Sequence, residues 1–385
     1  MQKRRWEMNK LFKSLLLLVA VALSFVACER RPLWDVDEIG ARVKIKVDWS
    51  QFVERPSGMT LMMFNDDDEL TQFITNDVDS VYVTLPEGHW RVYVFNQSTF
   101  EFGNISFSGM NKYETPEAYV SETITRTWLS SRKSGTQSER VVDEPDKLGV
   151  GIGEFVITDR MVQQYAEFRS KVLARNNSTK ASFEDSELDS VYETTAVELT
   201  PTSVVSVLEV TAYFRGIQNL YAAHATITGL AEGFYLTKGR PNDNSVTQIL
   251  ENWTKYVDEN DPTLGYVKLK SNISTFGLPG GYEDVEDFSK RDSTLNVFTM
   301  TCMLRDLQTR MDIAFNVGHK FEVQKYEFGL GTQVSIGIRL VMKLEIGYDA
   351  PIELPEVPPA TGDNASGFDA TVDDWEEGET VEIPM

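Results

Sequence analysis

The sequence predicts a mainly β protein built from β-sandwiches. Residues 43–49 alternate between apolar and polar side chains, and residues 336–346 do so again over a longer stretch. A period of two buries one face of a strand and leaves the other face in water. Turn sequences such as Pro-Glu-Gly-His at residues 86–89 separate other short apolar runs and are typical of hairpins. Many short strands joined by such turns favour β-sandwiches.

Ahead of the first strand, residues 1–27 predict a lipoprotein signal peptide. Basic residues at positions 3–5 precede an apolar run at residues 15–26, which is the order of a secretion signal. The apolar run is too short to span a bilayer stably. Translation from Met8 instead of Met1 would leave a shorter signal of the same kind.

The residue after this signal is a cysteine, and the arrangement resembles the bacterial lipobox. In lipoproteins the lipobox cysteine becomes the mature N-terminus and carries acyl chains such as palmitate. Cys28 is therefore the predicted lipidation site, and residues 28–40 are the predicted lipidated tether. The alternative is an ordinary secretory signal with a chance cysteine near the cut.

The chain is strongly acidic. Its formal net charge is −22, and because residues 1–27 carry a net charge of +4, their removal leaves −26. Such a surface repels nucleic acid phosphates and anionic headgroups, so nucleic acid is not an expected partner.

If Cys28 is acylated, Cys302 has no cysteine left to pair with, and we expect it to be a small apolar core residue.

An N-terminal β-sandwich domain is predicted over residues 41–195. Its strands are expected at residues 43–49, 61–65, 81–85 and 90–94, with the last two forming a hairpin. One helical insertion is predicted behind Asp159, which can cap the start of a helix. Apolar residues recur there at helical spacing, at Met161, Tyr165, Phe168 and Val172.

A C-terminal β-sandwich domain is predicted over residues 196–350. Its strands are expected at residues 205–214, 222–230, 298–304 and 336–346. In the third of these, alternation places Cys302 on the apolar face.

Residues 351–385 differ from the rest in composition. A Pro-rich linker, which we expect to be extended and unable to join a central strand, leads into an acidic segment in which apolar residues alternate again. This pattern fits one or two strands that bury a face, either against the chain's own sheet or against another chain. The candidate donor-strand residues are Phe368, Val372, Trp375, Val381 and Ile383.

Several short stretches resemble the fimbrillin-like lipoproteins of Bacteroidales. They are the lipobox with residues 30–33, residues 225–236, residues 274–279 and residues 367–375. The resemblance implies two transthyretin-like β-sandwich domains, a lipid anchor at the outer membrane, and pili whose subunits join by exchanging strands. In stalk subunits of that family an arginine-directed protease removes the first strand, and the C-terminal strands of a neighbour fill the groove.

Anchor and accessory members of that family keep their first strand. In this chain Arg42 and Arg55 flank the predicted first strand, and neither is expected to lie in a clear, exposed cleavage loop. The resemblance therefore favours an anchor or accessory subunit over a stalk subunit. The choice among anchor, stalk and tip stays open at this point, as does the choice between an exchanged tail and one that folds in cis.

The sequence shows no catalytic, cofactor or metal motif. Its three histidines, His89, His224 and His319, lie in unrelated segments without zinc spacing. Residues 149–153, Gly-Val-Gly-Ile-Gly, resemble a nucleotide-binding loop, but Glu154 stands where the dinucleotide fingerprint requires glycine. We therefore predict a protein that is not an enzyme and has no cofactor.

The leading hypothesis is an outer-membrane-anchored fimbrial subunit or assembly anchor, located at the cell surface or in the fimbrium and involved in cell adhesion. Its expected partners are other pilus subunits, the membrane through the lipid, and a host or bacterial surface ligand. The alternative is a glycan-binding lipoprotein of a polysaccharide-uptake system. That alternative requires exposed aromatic residues on one face, for which Trp90, Trp128 and Trp253 are the candidates.

Overall fold

The computed structural model describes residues 40–121, 140–176, 194–256, 267–280, 287–327 and 338–360. The signal peptide, Cys28, Trp128 and the five candidate donor-strand residues lie outside these ranges. The described residues are mainly β, as predicted. Contacts between residues divide the chain into two compact units.

The described residues of the smaller unit are residues 40–42, 84–87 and 158–176. Its described part contains the predicted helix, α1, at Asp159–Asn176. Val162 and Tyr165 are buried residues of its first two turns. The helical spacing of apolar residues therefore identified a real helix with one buried side.

The residue that caps α1 differs from the expectation. Asp159 is the first residue of the helix, and Thr158 before it is the cap because it accepts hydrogen bonds from the first turn. The Thr158 hydroxyl accepts a hydrogen bond from Met161 N at 3.4 Å, as a capping side chain does. The Asp159 carboxylate instead accepts a hydrogen bond from Gln163 Nε2 at 2.6 Å, one turn further on.

The larger unit contains the strands, apart from a few end residues of β1 and β4. In chain order the strands are β1 (Ala41–Val47), β2 (Met59–Phe64), β3 (Leu70–Thr75), β4 (Ser80–Leu85), β5 (Gly88–Asn96), β6 (Ile105–Ser108), β7 (Glu117–Val120), β8 (Val141–Val142), β9 (Gly149–Ile157), β10 (Thr195–Leu199), β11 (Thr202–Ser203), β12 (Ser206–Arg215), β13 (Leu220–Ala231), β14 (Gly233–Tyr235), β15 (Arg240–Pro241), β16 (Ser245–Leu250), β17 (Thr254–Tyr256), β18 (Val267–Thr275), β19 (Val297–Leu304), β20 (Arg310–Asn316), β21 (Glu322–Glu327), β22 (Ile338–Ile346) and β23 (Ile352–Glu353).

These strands form five sheets, which we name A to E. Sheet A has the order β10-β1-β4, sheet B β11-β9-β5-β2-β3, and sheet C β15-β14-β7-β6. Sheet D has the order β20-β19-β13-β16-β8, and sheet E the order β17-β18-β12-β22-β21, with β23 also paired to β12. The pairings of β1 with β10, β8 with β16, and β12 with both β22 and β23 are parallel.

The hairpin expected around residues 86–89 does not form. The strands β4 and β5 exist where predicted, but β4 belongs to sheet A and β5 to sheet B. Both edges of β5 are occupied, since it pairs with β2 on one side and with β9 on the other. The turn at Pro86 therefore carries the chain from one sheet to the next.

One hydrophobic core gathers the apolar residues of sheets D and E. Alternate residues of β12, such as Leu208 and Val210, lie with Phe298 and Met300 of β19 in this core. Cys302 lies there too and is fully buried, so the prediction of an apolar core position is confirmed. The alternation of apolar and polar residues in each of these strands therefore corresponds to one buried face.

A second core gathers residues of sheets B and C together with parts of the later chain. Tyr93 and Phe95 of β5 lie in it with Phe234 of β14 and Phe276. Two sheets likewise combine strands from both halves of the chain, since β7 pairs with β14 and β8 with β16. The domain boundaries at residues 195 and 350, and the transthyretin-like topology, stay predictions.

The end of the first strand differs from the sequence-based expectation. Trp49 is expected to continue the alternation, but β1 ends at Val47 and a 3-10 turn follows at Trp49–Gln51. The Asp48 carboxylate accepts a hydrogen bond from Ser50 N at 2.9 Å and so caps this turn. The Trp49 indole is buried and donates to Val78 O at 2.8 Å.

The buried thiol generates a testable prediction. Burial, reinforced by Asp312, raises the pKa of Cys302 to about 12. Because the thiolate is the reactive form, we expect Cys302 in a Cys28→Ser protein to resist a chromogenic disulfide reagent at about pH 8 and to react quickly in guanidinium. Equal reaction rates for the native and unfolded protein would contradict the buried position.

Candidate functional site

The first strand occupies the middle of sheet A, between β4 and β10. Both of its edges carry main-chain hydrogen bonds. On one side Val47 N donates to Asp79 O at 2.9 Å, and on the other Lys44 N donates to Thr194 O at 2.8 Å. We call this position between β4 and β10 the first-strand slot, and β1 fills it.

Side chains also hold β1 in the slot. Along its inward face Val43, Ile45 and Val47 are all buried. On the outward face, the Lys44 ammonium lies 5.1 Å from the centre of the Tyr82 ring on β4, which is a cation–π distance. A strand with one buried face and two paired edges is an integral part of sheet A.

Sheet A approaches sheet B closely at β9, and glycine makes this approach possible. A Cβ atom at Gly153 would lie 2.6 Å from Leu199 Cδ2, and one at Gly149 would lie 2.6 Å from the Phe52 ring. Residues 149–153 are therefore strand residues whose glycines make room for packing. They do not form a phosphate-binding loop, because residues 150–153 pair with β5 in an antiparallel ladder and Gly149 pairs with Ser203 of β11.

The two arginines near the first strand lie in different settings. The sequence pattern places Arg42 beside the strand, but Arg42 is the second residue of β1. Arg55 lies in the exposed segment between β1 and β2, so the expectation that it avoids an exposed loop is wrong. It forms an ion pair with Asp79 at 2.7 Å, and Pro56, whose nitrogen carries no proton, follows it.

The exposure of Arg55 alone does not free the first strand. After cleavage behind Arg55, β1 would still have to leave both of its neighbours in sheet A and bring its buried side chains into water. Each buried Val or Ile side chain contributes about 1.5–3 kcal/mol to holding the strand in place. Loss of β1 therefore requires more than a cut in the segment that follows it.

The Pro-rich linker is bound to the larger unit. The expectation that it would not join a central strand is wrong, because β23 pairs with β12 beside Phe214 and Arg215. It can pair because β22 ends at Ile346 and leaves this part of β12 open, and because Ile352 and Glu353 keep the N–H groups that proline lacks. The linker therefore extends the sheet by one short parallel pairing.

Beyond β23 the linker is held by one arginine. Arg305 Nε donates to Val357 O at 2.6 Å, and Arg305 O accepts from Ala360 N at 3.1 Å. The linker is therefore fixed up to Ala360, next to the residue that follows the end of β19, and we call the residues after it, 361–385, the tail segment. The tail segment itself, with its candidate donor-strand residues, lies outside the described ranges.

The candidate sugar platform does not form from the tryptophans that the structure describes. Trp90 is 3% exposed and Trp253 is 2% exposed. The Trp253 indole donates to Leu250 O at 3.3 Å inside the core of sheets D and E. Neither ring can present a face to a sugar, which removes two of the three aromatic residues on which the glycan-binding alternative depends.

A cleft of about 850 Å³ lies beside the same core. Its lining includes four aromatic side chains, which are Phe288, Phe315, Phe321 and Tyr348, and several carboxylates. One of these carboxylates, Glu345, accepts a hydrogen bond through Oε1 from the Tyr213 hydroxyl at 2.9 Å. The Tyr213 ring also packs edge-on against Tyr348 at 5.5 Å, so these contacts fix part of the cleft wall.

The described residues meet neither the requirements of a metal site nor those of a membrane-spanning helix. Within the described ranges, no group of three or more His, Cys, Asp or Glu residues is arranged to hold a metal ion. The same part of the chain contains no helix with the length and apolar character needed to cross a membrane. The filled first-strand slot and the anchored start of the tail segment are therefore the main candidate functional features.

Comparison with known proteins places the chain in a family. The model of a family described as domain of unknown function DUF5119 matches residues 27–251, more than half of the 385 residues. The chain belongs to the DUF5119 family. This DUF5119 protein is also 23% identical to the "Putative fimbrium anchoring subunit Fim4B" of Bacteroides ovatus, covering 96% of this chain and 97% of that protein. The predicted relationship to fimbrial proteins of Bacteroidales is confirmed.

One solved structure supports the mainly β fold of this DUF5119 chain. The crystal structure of a "putative adhesin" from Bacteroides ovatus matches with a TM-score of 0.50 and 19% identity, covering 86% of this chain and 98% of that one. The fimbrial anchor protein Mfa2 from Porphyromonas gingivalis gives a TM-score of 0.38 and 9% identity, with 71% and 82% coverage. The first match supports the mainly β fold, whereas the second is too weak to support an argument.

The first-strand slot yields a stability prediction. Ile45→Ala removes a fully buried side chain from β1, and we expect it to lower the free energy of unfolding by about 2–5 kcal/mol. Lys46→Ala, at the neighbouring exposed position, is the matched control and should change it by less than about 0.5 kcal/mol. Urea unfolding followed by tryptophan fluorescence measures both, and similar losses for the two variants would show that β1 is not an integral strand.

Proposed function

We propose that this protein is a fimbrial subunit of the anchor or accessory type, fixed to the outer membrane through Cys28 and joined to other subunits by β-strand complementation. The observation that carries the proposal is the match along almost the whole chain to a relative named as a fimbrium anchoring subunit. We further propose that its strands form two transthyretin-like sandwiches and that it acts in adhesion as a structural protein, without catalysis.

A first strand that stays in place suits an anchor better than a stalk subunit. Strand complementation needs an acceptor sheet with an open position, which an incoming strand fills by main-chain pairing and by burying alternate side chains. In this chain β1 fills the position between β4 and β10 with paired edges and a buried face. A subunit that keeps β1 can donate a strand but cannot accept one in this slot, so it ends the row of subunits on one side.

The start of the tail segment supports its role as the donor. Hydrogen bonds of Arg305 with Val357 and Ala360 hold the end of the linker, the point at which the tail segment begins in the sequence. The 25 residues beyond Ala360 could extend at most about 85 Å. Their alternating apolar residues match the period of a donated strand. The tail segment therefore combines an anchored origin with enough length to reach a neighbouring subunit.

The first test changes the apolar face of the tail segment. Replacing its apolar residues with Ser should leave the thermal unfolding midpoint unchanged and abolish co-purification of other fimbrial subunits, because the donated strand loses its buried side chains. The residues replaced are Phe368, Val372, Val381 and Ile383.

The matched control replaces the interleaved polar residues with Ser and should preserve co-purification. These residues are Asp369, Thr371, Thr380 and Glu382. A large fall in the unfolding midpoint for the apolar set alone would instead mean that the tail segment folds in cis as an ordinary core strand. In that case the complementation proposal is wrong.

A second test concerns the anchor. Cys28→Ser should abolish metabolic labelling with palmitate and release the protein from outer-membrane fractions, because the acyl chains supply the membrane affinity. Cys302→Ala, at the only other cysteine, should keep both the label and the membrane location. Membrane retention of the Cys28→Ser protein would rule out lipid anchoring at this residue.

A further inference from the structure

The strand β3 is an open edge of sheet B. Among the described strands it pairs only with β2. Its sequence, Leu-Thr-Gln-Phe-Ile-Thr, carries no charge, yet Leu70 is 39% exposed, Phe73 37% and Ile74 54%. Successive residues of a strand point to opposite faces, so Phe73 and Ile74 expose apolar surface on both sides of the sheet.

The backbone of β3 has hydrogen-bonding groups with which no other described strand pairs. Asn65 N donates to Glu69 O at 3.3 Å where β2 turns into β3, which fixes the pairing pattern of the antiparallel ladder. Hydrogen-bonded and non-hydrogen-bonded pairs alternate along such a ladder. The N–H and C=O groups of Leu70, Gln72 and Ile74 therefore point away from β2, towards the position of a further strand.

Natural sheet edges usually carry features that prevent pairing. Lysine, proline, inward-pointing charges and bulges are the common ones. None of them occurs among the six residues of β3, and its register with β2 is regular from Leu70 to Thr75. A neutral, regular and apolar edge of this length is suited to accept another strand.

Carboxylates frame β3 at both ends. At one end residues 66–69 are all acidic, and at the other end two aspartates follow the strand within four residues. Three of these carboxylates have arginine or histidine partners: Asp66 with His89 at 3.0 Å, Asp68 with Arg91 at 2.8 Å and Asp79 with Arg55 at 2.7 Å.

The other acidic residues leave negative charge at each end of the strand. Asp67 and Asp77 make no ion pair within the described part of the chain. A strand laid beside β3 would therefore meet an apolar, uncharged middle and an acidic environment at both of its ends. Opposite charges directly across a sheet stabilise the pairing, whereas like charges destabilise it.

We propose that β3 accepts an extended strand from a different polypeptide, one with about six uncharged, β-branched or apolar residues between Lys or Arg residues. A second copy of β3 does not fit, because either strand direction would bring carboxylates against carboxylates. The tail segment does not fit either, since it contains eight acidic residues and no Lys or Arg. This site is separate from the first-strand slot and does not depend on the proposed function.

The test uses the mature full-length protein in detergent micelles and a fluorescent peptide of six alternating Thr and Val residues with two Lys at each end. We expect saturable binding that weakens with salt, and at least about tenfold weaker binding of the same peptide with Glu at its ends. Hydrogen exchange should show new protection of the Leu70, Gln72 and Ile74 amides when the Lys peptide is bound.

Two variants separate main-chain pairing from general charge attraction. Gln72→Pro removes one outward N–H without touching the β2 ladder and should weaken binding at least about tenfold, whereas Gln72→Ala should preserve it. Asp67→Lys with Asp77→Lys should reverse the preference between the Lys and Glu peptides, and this variant decides the matter if Gln72→Pro does not fold.

The control for charge is Asp349→Lys with Glu356→Lys, two exposed acidic positions in the later part of the chain, which should keep the original preference. Protection that appears away from residues 70–74 would overturn the proposal. An unchanged peptide preference in the Asp67→Lys, Asp77→Lys protein would overturn it as well.

Discussion

The burial of the central strands of sheet B on both faces is the constraint on which the rest of the larger unit depends. Every residue of β2 is buried. In β5, Tyr93 and Phe95 enter the core shared with sheet C, and Val92 and Val94 point to the opposite face because successive side chains alternate. Glycine in β9 lets β10 of sheet A approach this second face. A layer covered on both sides requires continuous apolar sequence, which explains why β2 does not alternate as β1 does.

Sequence reasoning was most successful where one face of an element is buried. The alternation around Ile45 and Leu344 and the helical spacing at Tyr165 predicted β1, β22 and α1, because each pattern records a local geometry. The placement of Cys302 followed from the same rule. These successes needed no information about distant parts of the chain.

The features that the sequence does not predict depend on contacts between residues that are distant in sequence. The parallel pairings of Lys44 with Thr195 and of Phe214 with Ile352 have no local signal. For the same reason the turn sequence at residues 86–89 predicts a hairpin, although its two strands pair with other strands. The glycines at residues 149–153 resembled a phosphate loop, but their role is to admit neighbouring side chains. Trp90 and Trp253 were sugar-platform candidates on residue type alone, and only the packing shows that both are buried.

The first-strand slot of sheet A and the outer edge of sheet B differ in whether a strand occupies them. In sheet A the central position is filled by β1, with hydrogen bonds on both edges. In sheet B the outermost strand, β3, has no described strand on its outer side and exposes several apolar side chains. Because the tail segment and the ends of β3 carry charge of the same sign, a copy of this chain gains little by pairing its tail with this edge. Electrostatic repulsion therefore disfavours self-association through β3, and a strand that pairs with this edge needs a charge pattern different from that of the tail segment.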